Sequence, residues 1–276
     1  MFNSLEEKIL DQLFNDLEND KLVLPTLPEV ALRVRDTLED PDAGMGEVAK
    51  VITNDAALSA RLIQVVNSPL LRAARTIDSV EMAVTRMGAD MTRNIVMSVA
   101  MEQMFQATSD ATDKRLRSLW EHSTQVAALC HALTKQFTNL KPDQALLAGL
   151  VHNIGSLPIL TMAEDVPELL QDENLLDNII SKAHPTVGEA ILKKWNFSEE
   201  LVAVAAEHED IMRQHEGDAD YVDIVIVANL ESYIGTEHPH SQVDLSTVPA
   251  FKKLGLEPDM EVLDIEAVKE TQTALG

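Results

Sequence analysis

Apolar positions recur three and four residues apart along most of the chain, and sustained alternation of period two is scarce. Leu5, Ile9, Leu13, Phe14 and Leu17 form one apolar stripe behind Ser4, whose spacing to Glu7 is that of a capping box. Pro25 and Pro28 in "VLPTLPEV" mark an extended entry, the second near the first turn of a helix that buries Leu27, Val30, Val34 and Leu38. "EDPDAGMG" reads as a turn, and a short helix through Val48, Val51 and Ile52 ends near Asn54. Asp55 is placed to cap "AALSARLIQVV", with Leu58, Leu62, Val65 and Val66 inward. "NSP" stops that helix, since Asn67 tolerates the left-handed C-terminal position and Pro69 cannot continue a helix. Asp78 and Glu81 have the spacing of a second capping box, with Ile77 and Met82 as its hydrophobic staple. Gly88 separates that helix from "ADMTRNIVMSVAMEQMF".

The polar, small-residue stretch "QATSDATDK" is the clearest seam. Beyond it the pattern predicts helices at roughly 115–137, 142–154, 164–182, 185–195, 199–210 and 219–234. The tail from Thr236, rich in acids and carrying Pro239 and Pro258, is expected to be loosely ordered or to dock. The fold class is therefore all-α, in two helical halves, residues 1–112 and 113–235, followed by an acidic tail, 236–276. No internal repeat is visible.

Charge narrows the functional classes. Lys and Arg number 22 against 46 Asp and Glu, a formal net charge of -24, which repels phosphate backbones and argues against nucleic-acid binding. A single cysteine, Cys130, excludes an internal disulfide and sits in "VAALCHAL" as a core thiol. The N-terminal "MFNSLEEKIL" is acidic and amphipathic, unlike a signal peptide, and polar residues interrupt the most apolar run before it reaches a membrane span of roughly 20 residues. A cytoplasmic location and no membrane partner are expected. P-loop, dinucleotide and nucleophile-elbow motifs are absent.

Candidate chemistry concentrates in the histidines. His122 shares a helix face with Val126, Leu129 and Leu133 and points inward, whereas His131 is about 180° away and is expected to face solvent. His152 lies in "ALLAGLVHNIGSLPIL", apolar all round and hence buried. His184 precedes Pro185 and is expected at a helix N-terminus, and His208 closes the apolar helix "LVAVAAEH". His215, His238 and His240 sit in polar surroundings and read as surface residues. Four inward histidines, one per helix, favour a polar internal site of the kind helical bundles support.

The phrases "LPTLPEVALRV", "VAKVITNDAALSARLIQVVNSP", "TIDSVEMAVTRMG" and "LLAGLVHNIG" resemble the HDOD domain, a signalling output module related to the HD metal-dependent phosphohydrolases. The resemblance covers roughly residues 20 to 232 and departs mildly at Ala56, where the family often has Pro. It implies that His122 matches the first metal-binding His of catalytic relatives. His152-Asn153 matches the His-Asp pair, and His184 in "HPTVG" matches a further His. "EHE" (Glu207-His208-Glu209) lies where a two-metal enzyme has His-His-Glu, and Asn229 matches the final metal-binding Asp.

Asparagine thus stands at both aspartate positions and Glu207 at one histidine position. A carboxylate offers a divalent ion charge and an unhindered oxygen, while an amide offers a neutral oxygen beside competing N–H donors. Two histidines with two asparagines carry no negative charge, so the bridged metal pair that makes hydroxide is expected to be weakly held or absent. No cofactor is expected, apart from a weakly bound divalent transition metal on His122, His152, Asn153, His184, His208 and Asn229. The resemblance implies bacterial signal transduction, with a protein partner or a small nucleotide-like ligand bound and no catalysis. The alternatives are a phosphohydrolase or phosphodiesterase with altered ligands, and a nucleotide sensor that keeps the pocket without the reaction. No separate receiver, kinase or cyclase domain fits beside the helical unit, so input is expected from other signalling proteins.

Overall fold

A computed structural model describes residues 4–69, 71, 75–106, 110–256 and 265–275. It is all-α: among the described residues there is no strand. The N-terminal helices are α1 (Leu5–Glu18), α2 (Glu29–Glu39), α3 (Met45–Thr53), α4 (Ala56–Val66) and α5 (Val80–Met101). There follow α6 (Asp110–Phe137), α7 (Pro142–Val151), α8 (Ser156–Glu164), α9 (Pro167–Gln171), α10 (Glu173–Lys194), α11 (Glu199–Glu207) and α12 (Tyr221–Ser232). Helices α13 (Pro249–Leu254) and α14 (Ile265–Leu275) complete the chain.

The expected caps at Ser4 and Asp55 form, with Ser4 also bonded reciprocally to Glu7. The cap of α5 is Ser79 rather than Asp78, and this one-residue shift turns Met82 outward while Ile77 stays buried. The helix pattern breaks at Gly88, whose φ of 72° falls in the region only glycine adopts without strain. Asn67 is not left-handed (φ -96°); its side chain instead bonds Ile63 O at 2.9 Å and both backbone groups of Ile77, O at 2.7 Å and N at 2.9 Å. The "NSP" phrase therefore works as a clamp that ties the end of α4 to the start of α5.

Around α6 the packing is closed. It touches α7, α8, α12 and α14, so Val126 to Thr134 are buried on every side, and His131 is 4 % exposed, contrary to the expected solvent face. A single apolar stripe describes a helix covered on one side only. Likewise α10 runs straight through His184-Pro185, where two helices were expected. Leu176, Ile179, Ala183, His184, Val187, Gly188, Ile191 and Leu192 form a continuous buried face across the proline, and that burial overrides the break.

The stretch Pro142–Glu164 is long and apolar enough to cross a membrane, contrary to the sequence expectation, but it folds as α7 and α8 with 83 % of its apolar window inside the protein. The C-terminal tail is not loose in its described parts: α13 packs on α12, and α14 spans from α6 to α4.

Candidate functional site: a buried histidine cluster

Two glycines let the α7–α8 corner sink into the bundle. A Cβ on Gly149 would lie 2.5 Å from Ala127 Cα of α6, and one on Gly155 would lie 2.0 Å from the carbonyl oxygen of His184 in α10. This close approach brings His152, the C-cap of α7, among the other histidines. His184 lies mid-way along α10, not at a helix start, and His208 caps the C-terminus of α11.

Three of these imidazoles are anchored in one way. His152 Nδ1 is 2.6 Å from Gly149 O, His184 Nδ1 is 2.8 Å from Ile180 O, and His208 Nδ1 is 2.9 Å from Val204 O. Carbonyls only accept, so each Nδ1 carries the proton, and each Nε2 of the neutral ring is a bare lone pair. The lone pairs converge: His184 Nε2 and His208 Nε2 are 3.1 Å apart, and the His152 and His208 ring centres are 5.0 Å apart. His152 Nε2 is buried without a hydrogen-bond partner among the described residues.

Glu209 completes the convergence, with Oε1 3.6 Å from Nε2 of both His184 and His208. Sequence reasoning passed over Glu209 for its neighbour Glu207, which turns away to Arg213 at 2.6 Å. The signal that could have found it is the next position after the helix-capping His208, where the chain doubles back over its own ligand.

His122 stands at the edge of the cluster, its ring 5.4 Å from that of His152 and its Nε2 3.3 Å from Tyr233 Oη. Asn229, 3 % exposed, reaches His122, and its Oδ1 makes no hydrogen bond among the described residues. Asn153 is half-buried and its amide bonds none of the four histidines. The six expected site residues are therefore not equivalent: His152, His184 and His208 converge, His122 with Asn229 flanks them, and no hydrogen bond links Asn153 to the histidines among the described residues.

His238 and His240, expected on the open surface, join an aromatic column instead. Tyr233 stacks on His122 at 5.1 Å and on His238 at 3.7 Å, and His240 meets His238 edge-on at 5.0 Å. Burial and the Glu209 carboxylate push the Tyr233 phenol upward, so it stays protonated.

Burial dominates the electrostatics. It lowers His122 to about 4 and His208 to about 3, holds His152 well below its ordinary value, and lowers His184 against the opposing pull of Glu209. At neutral pH the cluster is a set of uncharged nitrogen donors with one carboxylate. That donor set suits one borderline transition ion on His184, His208 and Glu209, whose ligand atoms lie within 4.8 Å of one another, with His152 Nε2 beside them. It does not suit a bridged metal pair, because neither Asn153 nor Asn229 adds an anionic oxygen.

Comparison with known proteins agrees with this architecture. The HDOD domain matches residues 24–211. A Shewanella amazonensis protein, whose name assigns it provisionally to the metal-dependent phosphohydrolases, is 33 % identical, with a TM-score of 0.86 over 98 % of this chain and 97 % of its own. An HDOD domain protein of unknown function from Geobacter sulfurreducens is 25 % identical, with a TM-score of 0.69 over 97 % of this chain and 96 % of its own. An uncharacterised Treponema pallidum protein is 25 % identical over 244 residues, 83 % of this chain; the chain spans 46 % of that relative's length. The chain belongs to the HDOD domain family.

Proposed function

We propose that this chain is a signal-transduction domain that binds a protein partner or a small nucleotide-like ligand and does not turn over phosphodiesters. The observation that carries the reading is the charge of the histidine cluster. Its nitrogen donors are neutral, its asparagines are neutral, and among the described residues Glu209 is the one carboxylate paired with His184 and His208. A bound divalent ion would polarise water or a phosphoryl oxygen. The residues present would hold one such ion through His184, His208 and Glu209, while the second ion of a bridged pair would find amides. The Tyr233 ring stacks on both His122 and His238 at the edge of the cluster.

A second reading, a metal-dependent phosphohydrolase acting on a nucleotide, is favoured by the convergent Nε2 atoms and by the provisional name of the Shewanella relative. Elemental analysis of protein purified without chelator or added metal, followed by incubation with cyclic dinucleotides and nucleotide monophosphates with and without Mn²⁺, separates the two. The expected result is no turnover above the protein-free control, whatever the metal content. Metal-dependent turnover abolished by His152→Ala would replace the binding reading with the hydrolytic one. A nucleotide that raises the melting temperature without being consumed would support a sensor of small ligands over a scaffold for proteins.

A further inference from the structure

A second set of ligating atoms lies outside the histidine cluster, where the turn after α11 meets the start of α12 and the short helix α13. Sequence reasoning left His215 as a surface residue, yet its ring is engaged on both nitrogens. Nδ1 is 3.0 Å from Glu216 O, so it carries a proton. Nε2 is 2.7 Å from Asp223 Oδ2, 3.6 Å from Asp220 Oδ2 and 2.6 Å from Lys253 Nζ. Asp223 is 1 % exposed, and its Oδ1 has no hydrogen-bond partner among the described residues; the nearest cation, Arg213, stands 3.6 Å away.

No protonation state of His215 satisfies these contacts together. A bare Nε2 accepts from the Lys253 ammonium but then faces the Asp223 oxygen as acceptor against acceptor. A protonated Nε2 donates to Asp223 but then presents a cation to a cation at Lys253. A metal ion resolves the conflict, because it takes the Nε2 lone pair and the carboxylate oxygens at once. The charges agree. Three carboxylates, Glu207, Asp220 and Asp223, face the two fixed cations Arg213 and Lys253. A divalent ion in place of the Lys253 ammonium would neutralise the group. The supporting contacts are built: Arg213 grips Asp220 at 2.8 and 3.2 Å and Glu207 at 2.6 Å, and the Asp220 amide donates to Asp223 Oδ2 at 3.1 Å.

We propose that His215, Asp220 and Asp223 form a divalent transition-metal site, of the zinc class, for which the Lys253 ammonium is a tethered competitor. One imidazole nitrogen with two carboxylate oxygens selects zinc-class ions over magnesium or calcium. None of these residues belongs to the histidine cluster, and the proposal stands whether or not that cluster holds an ion.

The test is calorimetric titration of the full chain with Zn²⁺ after chelator treatment, for the parent, His215→Ala, Lys253→Gln and the double variant. Any binding at the histidine cluster is common to all four and cancels in the comparison. Lys253→Gln is expected to tighten one site by about tenfold or more, and adding His215→Ala is expected to abolish that gain. Unchanged affinity in Lys253→Gln, or a gain that survives the loss of His215, overturns the proposal. Should Lys253→Gln not fold, the stoichiometry decides: His215→Ala is expected to bind one Zn²⁺ fewer per chain than the parent, and equal stoichiometry overturns the site.

Discussion

At the scale of single residues, Gly155 is the position where one methyl group costs most. Its Cβ would lie 2.0 Å from the His184 carbonyl oxygen and 2.5 Å from the Gly188 nitrogen, both backbone atoms that cannot swing aside. Gly155→Ala is expected to lower unfolding free energy by about 3 kcal/mol in urea titration, through overpacking. Gly46→Ala, with nothing within 4 Å of its Cβ, should change it by less than about 1 kcal/mol. The two asparagines should also separate. Asn229→Asp places a carboxylate at a 3 % exposed position and should destabilise the metal-free protein, with Mn²⁺ or Zn²⁺ recovering part of the loss. Asn153→Asp, half-buried and with no amide hydrogen bond among the described residues, should shift the melting temperature little with or without metal. Metal-dependent stabilisation by Asn153→Asp alone would place that side chain at the ion after all.

At the scale of elements, α10 and α14 show burial deciding what local signals leave open. Pro185 removes the donor for Ser181 O, yet the helix continues, and the His184 imidazole donates to Ile180 O in the same turn. The helix and the site thus share one residue. Helix α14 buries Val268, Thr271, Ala274 and Leu275, and Gln272 Nε2 donates to Glu121 O of α6 at 3.0 Å. Truncation after residue 256 should therefore cost about 4 kcal/mol, mostly from re-exposing the surfaces that Val268 and Leu275 cover, and should show as a lower urea midpoint. A midpoint unchanged by truncation would mean that α14 contributes no stability.

At the scale of the whole molecule, buried neutral histidines make stability depend on acid. His131 is held at about 4 and His208 at about 3, with His152 and His184 also lowered, all against an ordinary value of 6.5. Above pH 7 neither folded nor unfolded chain protonates them. Between about pH 6.5 and 4 the unfolded chain takes protons that the folded chain refuses, so stability falls as pH falls. His131 and His208 each contribute about 1.4 kcal/mol per pH unit in that window, and His152 and His184 act in the same direction. Urea titrations in chelator from pH 8 to 4 should show this loss, and a flat profile across pH 6.5 to 4.5 would contradict the burial of these rings. The net charge of -24 leads to a further expectation, that mixed-sequence duplex DNA is not bound with sub-micromolar affinity at physiological salt.

Periodicity and capping chemistry alone determined the all-α class, the caps at Ser4 and Asp55, the break at Gly88 and the inward direction of His152 and His208, because these depend on residues within a turn or two of one another. Only the tertiary structure decided the rest. His131 is buried because four helices surround α6, and α10 crosses a proline because its whole face is covered. Glu209 rather than Glu207 meets the histidines because the chain doubles back after His208. Tyr233, His238 and His240 stack because the tail returns over α12's end. Each of these depends on which distant surface arrives to exclude water, and local spacing carries no record of that.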